Sequence, residues 1–273
     1  MTGIKNGHRF QEDIVNRFFA VIVIALVVGA SASADPQGDK IAALYFGHAK
    51  AADTSANAVM TLVDKSGNKK VRELDMFTKD SPAGAFSFIE FKKPADVAGT
   101  KFLTIPAKDG TTEQRLYLPG LKKTRKIASS DKTGEFVNSD LTYYDMEDRK
   151  LEDSTYTFLS DNETLPDKAF EGMKFSKIEV KAKATDSPYA KSIFWINMDD
   201  THAYKVEAYD AKGGALLKTI LFVKYEDQKG IKTPVQTLVT NHKKGSKTLL
   251  QMNNLKINAG LKDEVFSVKN LER

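Results

Sequence analysis

KSIFWINMDDTHAYKVEAYD, residues 191–210, is the stretch on which the fold turns. Two runs of strand-forming residues flank Asp199, Asp200, Thr201 and His202, a polar cluster that reads as a hairpin turn. In the first run Ile193 and Trp195 fall on one face of an extended chain and Phe194 and Ile196 on the other. A strand that is apolar on both sides belongs in a covered sheet, or has one face lining an apolar cavity. ALLKTILFVKY, residues 215–225, repeats the pattern, with Leu217, Leu221 and Val223 set against Leu216, Ile220 and Phe222.

Moving outward, most other strand candidates keep one polar face. In SKIEVKAKA, residues 176–184, Ile178, Val180 and Ala182 oppose Lys177, Glu179, Lys181 and Lys183. Ser66, Gly67 and Asn68 separate two strand-like pieces near residues 58–79, and further runs follow at short, regular spacing to the C-terminus. The expected fold class is mainly β with few helices: a single curved antiparallel sheet of about eleven strands forming an open half-barrel. Ile41, Leu44, Tyr45 and His48 recur at helical spacing behind Pro36, which predicts one amphipathic helix over 37–52. Residues 128–166 are acidic, aromatic and turn-rich; they are expected to cross one face of the sheet with a short helix near 140–148 capped by Asp140.

Composition narrows the function. The net charge of +5 comes from 41 basic and 36 acidic residues scattered through the same segments, a weak case for a polyanion partner. With no cysteine, thiolate metal sites, cysteine nucleophiles and disulfides are excluded. His8, His48, His202 and His242 stand apart without metal-ligand spacing, so neither a metal nor a cofactor is expected. FFAVIVIALVV, residues 18–28, follows Lys5, Arg9 and Arg17 and precedes GASASA. That is the layout of a secretory signal cleaved after Ala34, leaving 35–273 as one periplasmic domain and nucleic acid as an excluded partner. A membrane span needs roughly 20 apolar residues, more than this run supplies.

Two motifs tempt a catalytic reading. SSDKTG, residues 129–134, has the lettering of penicillin-recognising serine enzymes, but one lysine cannot serve both of their motifs, so it reads as a turn. Asp140, Asp145, Glu147 and Asp148 are carboxylates of the kind that pair for acid and base work, yet beside Arg149 and Lys150 they read as a solvated helix end. No catalytic residue is assigned and the chain is expected to bind rather than react. An outer-membrane barrel is rejected because charge runs through the middle of strands such as YKVEAYD.

Four stretches carry a family pattern: PADVAGTKFLTI (94–105), QRLYLPGLKKTRKI (114–127), GEFVNSDLTYYDM (134–146) and DEVFSVKNLE (263–272). Together they resemble the outer-membrane lipoprotein-sorting proteins of the LolA/LolB-like superfamily, in particular the branch that accompanies exporters of the resistance-nodulation-division (RND) type. Pro94, Asp96, Gly99, Thr100, Leu118, Pro119, Lys123, Arg125, Phe136, Ser139, Asp140, Tyr143 and Asp145 match the pattern; Asn138 stands where the pattern has glycine.

The resemblance implies an incomplete β-barrel, covered by helices, whose apolar concave face binds acyl chains of a lipid or lipoprotein. By strand alternation the candidate lining residues are Leu103, Ile105, Leu116, Leu118, Ile193, Trp195, Leu217, Leu221 and Val223. Lys122, Lys123, Arg125 and Lys126 form a basic rim expected to meet headgroups, in transient membrane-surface contact, or an acidic partner. An inner-membrane RND-type exporter is the expected protein partner. The competing reading is a periplasmic sensor or regulatory module of a membrane complex.

Overall fold

The computed structural model describes residues 35–273, so the signal-segment reading of 1–34 lies outside the described residues. Helix α1 (Pro36–Phe46) comes first, followed by β1 (Asp53–Val63), β2 (Lys69–Lys79), β3 (Phe86–Lys93), β4 (Lys101–Pro106), β5 (Thr112–Leu118) and β6 (Lys123–Lys126). An insertion, 127–153, holds turns, single-turn 3-10 segments and one isolated β-bridge between Glu135 and Thr142. Then come β7 (Ser154–Glu163), β8 (Phe175–Ala182), β9 (Tyr189–Asn197), β10 (Ala203–Asp210), β11 (Leu216–Gln228), β12 (Ile231–Asn241) and β13 (Ser246–Ile257), with a short helix α2 (Val268–Leu271) at the end.

All the strands form one 13-stranded antiparallel sheet in the order β6-β5-β4-β3-β2-β1-β13-β12-β11-β10-β9-β8-β7. Neighbours in sequence are neighbours in space except β6 and β7, which lie at opposite edges, and the two runs of strands are joined where β13 returns to pair with β1. The two edges, β6 and β7, are joined directly by the insertion.

How far the sheet curls follows from that connection. Nine strand spacings separate β5 from β9, which in a flat sheet is about 43 Å. Yet Gln114 of β5 donates its Nε2 to the Tyr143 carbonyl at 2.8 Å, while the ring of the next residue, Tyr144, lies 5.8 Å from that of Tyr189 on β9. Two adjacent residues touch both arms, so the sheet wraps around the insertion and this face is the concave one.

The expected class holds, with corrections. The sheet has thirteen strands, not about eleven. β7 escaped notice because only Tyr156 and Phe158 repeat an apolar face, against Thr155, Thr157 and an exposed Leu159. The N-terminal helix ends at Phe46 because Gly47 caps it, so 47–52 is not helical. The helix expected near 140–148 is absent: the chain there makes a 3-10 turn over Tyr144–Met146, and the Asp140 carboxylate, instead of capping, accepts from Ser246 and Thr248. Asn138 has φ 56°, the left-handed conformation that glycine adopts without cost and asparagine tolerates, which fits the glycine of the pattern that the sequence resembles.

α1 starts on a strong cap. The Asp35 carboxylate accepts from Gln37 N at 3.0 Å, Gly38 N at 3.2 Å and, across to the edge strand β7, Phe158 N at 2.7 Å. Those amides, Phe158 first, hold its carboxyl below the usual range. Gly38 permits this approach: a Cβ there would fall 2.9 Å from Phe158 N and 3.0 Å from Thr157 N. Gly38→Ala is therefore expected to destabilise the protein by about 1–3 kcal/mol through overpacking, despite alanine's better helix propensity. Thermal melts combined with amide exchange over 37–46 check this; unchanged exchange there contradicts the close-packing account.

Candidate functional site

Strand register sorts the apolar side chains onto two faces. Phe102 sits opposite Leu116, and both join the concave cluster with Met60, Leu74, Ile89 and Phe91. Leu103 sits opposite Arg115 and points the other way, packing with Ile105, Phe88, Phe266 and Leu271 beneath the C-terminal segment. On the other arm Phe194, Ile178, Ile196, Ala203 and Phe222 face α1, while Ile193, Trp195 and Leu221 pack outward against Leu165, Phe170 and Phe175. The doubly apolar centre read from residues 193–196 is real, and its two faces meet different neighbours.

The nine candidate lining residues are therefore not brought together. Leu116 and Leu118 belong to the concave side; Leu103 and Ile105 lie under the C-terminal segment; Ile193, Trp195 and Leu221 lie under the segment around 165–175. Leu217 and Val223 are half-buried and belong to none of these clusters. Alternation pairs residues on a face but does not say which face is inside, so Tyr156, Phe158, Phe194, Ile196 and Phe222 went unselected. Their signal was α1 itself, an amphipathic helix that needs an apolar wall to cover.

Two covers occupy the concave face, and they are attached differently. The insertion buries Ile127, Phe136 and Tyr143 against β1 to β5 and is pinned by buried polar bonds. Asp145 Oδ2 lies 2.7 Å from Lys218 Nζ on β11, and Tyr189 Oη donates to Asp145 Oδ1 at 2.6 Å. Lys218 and Asp145 side chains are only 3% and 9% exposed. Burial and the neighbouring carboxylate push the Tyr189 phenol far above its ordinary pKa, keeping it a donor. Asp140 accepts from Ser246 Oγ at 2.5 Å and Thr248 Oγ1 at 2.8 Å on β13. Glu147, 6% exposed, holds Lys132 at 2.5 Å and Arg149 at 3.3 Å. The carboxylates read as a solvated helix end are thus largely buried, and Asp140 and Asp145 serve to tie the insertion down.

Helix α1 rests instead on apolar contact. Ile41, Ala42, Tyr45 and Phe46 meet Tyr156, Ile178, Phe194 and Ile196, with ring centroids 5.8 Å apart for Tyr45–Phe194 and 6.1 Å for Phe46–Tyr156. Just past the helix, the ring of His48 lies 4.4 Å from that of His202 in the β9–β10 turn. Burial of α1 contributes several kcal/mol at about 1.5–3 kcal/mol per buried side chain.

The remaining space is polar. A cavity of about 840 Å³ opens between the β5–β6 edge and β7–β8, lined by Lys126, Lys132, Glu147, Arg149, Glu152 and Lys183 among others. SSDKTG lies on its wall as a 3-10 turn, as its turn reading required. The basic rim is edge strand β6: Lys126 pairs with Glu113 at 2.7 Å and Arg125 with Asp131 at 3.1 Å, while Lys122 and Lys123 are exposed and outside any ion pair among the described residues.

Two measurements test these attachments. Lys218→Met strands the Asp145 carboxylate in the interior and is expected to cost about 3–5 kcal/mol in urea unfolding, with the Asp145→Asn, Lys218→Met double variant recovering much of it. Burial is the first cause holding the His48 pKa below 6.5, with His202 and Lys50 adding to it against the Tyr45 carbonyl and Asp200. The unfolded chain thus takes up a proton on His48 at higher pH than the folded one, so α1 docking loses stability as pH falls below about 6.5 and gains nothing above it. Amide exchange over 37–46 at pH 7 and pH 5 reads this, and His48→Gln is expected to flatten the difference.

The model of a family described as "Uncharacterized protein" matches residues 85–273, more than half of the chain. No curated protein sequence matches. Among solved structures, a domain from Vibrio parahaemolyticus described as an outer membrane lipoprotein-sorting protein is 29% identical, with TM-score 0.80, covering 87% of this chain and 99% of that one. A DUF1329 family protein from Desulfovibrio piger is 26% identical with TM-score 0.79 over 87% and 99% of the two chains. A LolA superfamily protein from Nitrosomonas europaea shares the fold at 16% identity, with TM-score 0.65 over 85% and 98%. The chain belongs to the family that this model describes, and its curled open sheet is shared with the DUF1329 family protein, the lipoprotein-sorting domain and the LolA superfamily protein.

Proposed function

We propose that this protein is an exported, non-enzymatic carrier or acceptor that holds the acyl chains of lipoproteins or other amphiphiles on its concave face. The observation that carries this reading is the unequal attachment of the two covers. The insertion is fixed by buried ionic and hydroxyl bonds, whereas α1 covers an aromatic and aliphatic wall through apolar contact. An acyl chain is chemically equivalent to what α1 supplies, and displacing the helix leaves no buried charge unpaired on the wall.

The energetics favour such exchange. A chain of about 16 carbons loses roughly 0.8 kcal/mol for each methylene left in water, on the order of 12 kcal/mol in all, so it requires cover between membranes. Under this reading the lining comprises Leu116 and Leu118 on one arm, together with Phe158, Ile178, Phe194 and Phe222 beneath α1. Residues 1–34 act as the periplasmic export signal; cleavage after Ala34 leaves Asp35, the cap of α1, as the first residue. Lipoprotein sorting to the outer membrane, with delivery from an RND-type exporter, is the transport step the family resemblance favours.

Purification from the native envelope, native mass spectrometry and solvent extraction test the carrier role. Bound amphiphile is expected, and the delipidated protein should bind a fluorescent acyl probe while amide exchange rises over 37–46 and stays fixed over 136–146. Phe222→Ala should weaken the probe about tenfold, while the adjacent, outward-facing Leu221→Ala should leave its affinity alone. Absence of any bound or bindable amphiphile sinks the proposal.

A further inference from the structure

At the end of the curled sheet where the β1–β2 and β12–β13 hairpins meet, a separate cavity of about 350 Å³ is lined by Leu62, Lys65, Lys70, Arg72, Asn138 and Lys247 among others. Its base is Arg72, only 5% exposed. The guanidinium donates to the Val137 carbonyl and lies 5.8 Å from the centre of the Phe91 ring. Both partners are neutral. Arg72 forms no ion pair among the described residues, Asp96 acts on it only at longer range, and burial pulls its pKa below the ordinary value.

A guanidinium withdrawn from water without a counter-charge is costly, and the neighbours do not supply one. Of the carboxylates on the cavity wall, Asp140 is occupied by the Ser246 and Thr248 hydroxyls. Asp64 accepts from Ser66 N at 2.8 Å, Asn68 N at 3.0 Å and Asn68 Nδ2 at 2.8 Å inside its own turn. The other charged groups on the wall are lysines. Lys244 pairs with Glu135, leaving Lys65, Lys70 and Lys247 outside any ion pair among the described residues. The two hairpin turns stand side by side, the Cβ position of Gly245 lying 3.5 Å from the Lys65 Cβ.

The wall behind the guanidinium is apolar. Arg72 sits opposite Met60 on the concave face, and Met60, Leu74, Phe91 and Val137 pack together there. We propose that this cavity is an oxyanion site, in which Arg72 at the base and Lys65, Lys70 and Lys247 at the mouth bind the phosphate of an amphiphile's headgroup while its chains follow the apolar wall. Arginine presents a planar fork suited to phosphate oxygens, and the lysines add charge that steers an anion inward. The proposal rests on the carrier reading for its acyl chains and on Arg72 for its phosphate.

Three probes separate those two parts: short-chain phosphatidic acid, diacylglycerol with the same chains, and inorganic phosphate, each titrated against the full described domain. Phosphatidic acid is expected to bind at least about tenfold tighter than diacylglycerol at low salt, with the gap closing at high salt. The exposed double variant Lys70→Ala, Lys247→Ala should narrow the gap without loss of stability, and Arg72→Gln should abolish it. Equal affinity for the two lipids, or a gap that survives both variants, overturns the oxyanion site and leaves the carrier reading standing. Inorganic phosphate bound in an Arg72-dependent way, with neither lipid bound, supports the oxyanion site as one for free phosphate and overturns the carrier reading. Failure of all three probes overturns both.

Discussion

Lys218 and Asp145, buried at 2.7 Å from one another, join strand β11 to an insertion whose two ends leave opposite edges of the sheet. A flat sheet cannot satisfy that contact together with the Gln114 bond to Tyr143, because the strands involved would stand tens of ångströms apart. Curvature, a concave face and its filling therefore depend on the insertion being held from both arms. Breaking the pair leaves a charge in the interior, which is why this attachment behaves as a fixed part of the fold.

Against that fixed element, α1 has a different physical character. Its wall of Tyr156, Ile178, Phe194 and Ile196 is the kind of surface that any apolar body covers equally well. Hydrophobic contact is non-directional, so freeing α1 would leave the strand-to-strand hydrogen bonds in place and would break the Phe158 amide bond to Asp35 at the β7 edge. Low-stability elements are where binding proteins open. The outer face is closed separately by the C-terminal segment and by the segment around 165–175.

The sheet has two edges, β6 and β7, each guarded in its own way. β6 is four residues long and carries Lys123, Arg125 and Lys126, and β7 has the Phe158 amide occupied by Asp35. Short, charged or covered edges resist pairing with other chains. The basic stretch 122–126 thus has a structural role at the edge, with part of its charge consumed by Glu113 and Asp131 and part, on Lys122 and Lys123, left facing outward. The cations enclosed with the buried Arg72 lie elsewhere, at the hairpin end: Lys65, Lys70 and Arg72 come from the one β1–β2 hairpin, and Lys247 joins them only through the β1–β13 pairing.

Local patterns were enough to read the all-β class, the hairpin at 198–202, the doubly apolar strands and the N-terminal helix, because alternation, turn chemistry and helical spacing act over a few residues. The same patterns missed β7, where one side of an edge strand is polar, and placed a helix at 140–148, where distant hydroxyls on β13 claim the Asp140 carboxylate. Which apolar face is concave was decided only by tertiary structure. A strand such as 193–196 is greasy on both sides, and only the curl imposed by contacts between residues such as Asp145 and Lys218, far apart in sequence, makes one side the concave wall under α1 and the other the outer core.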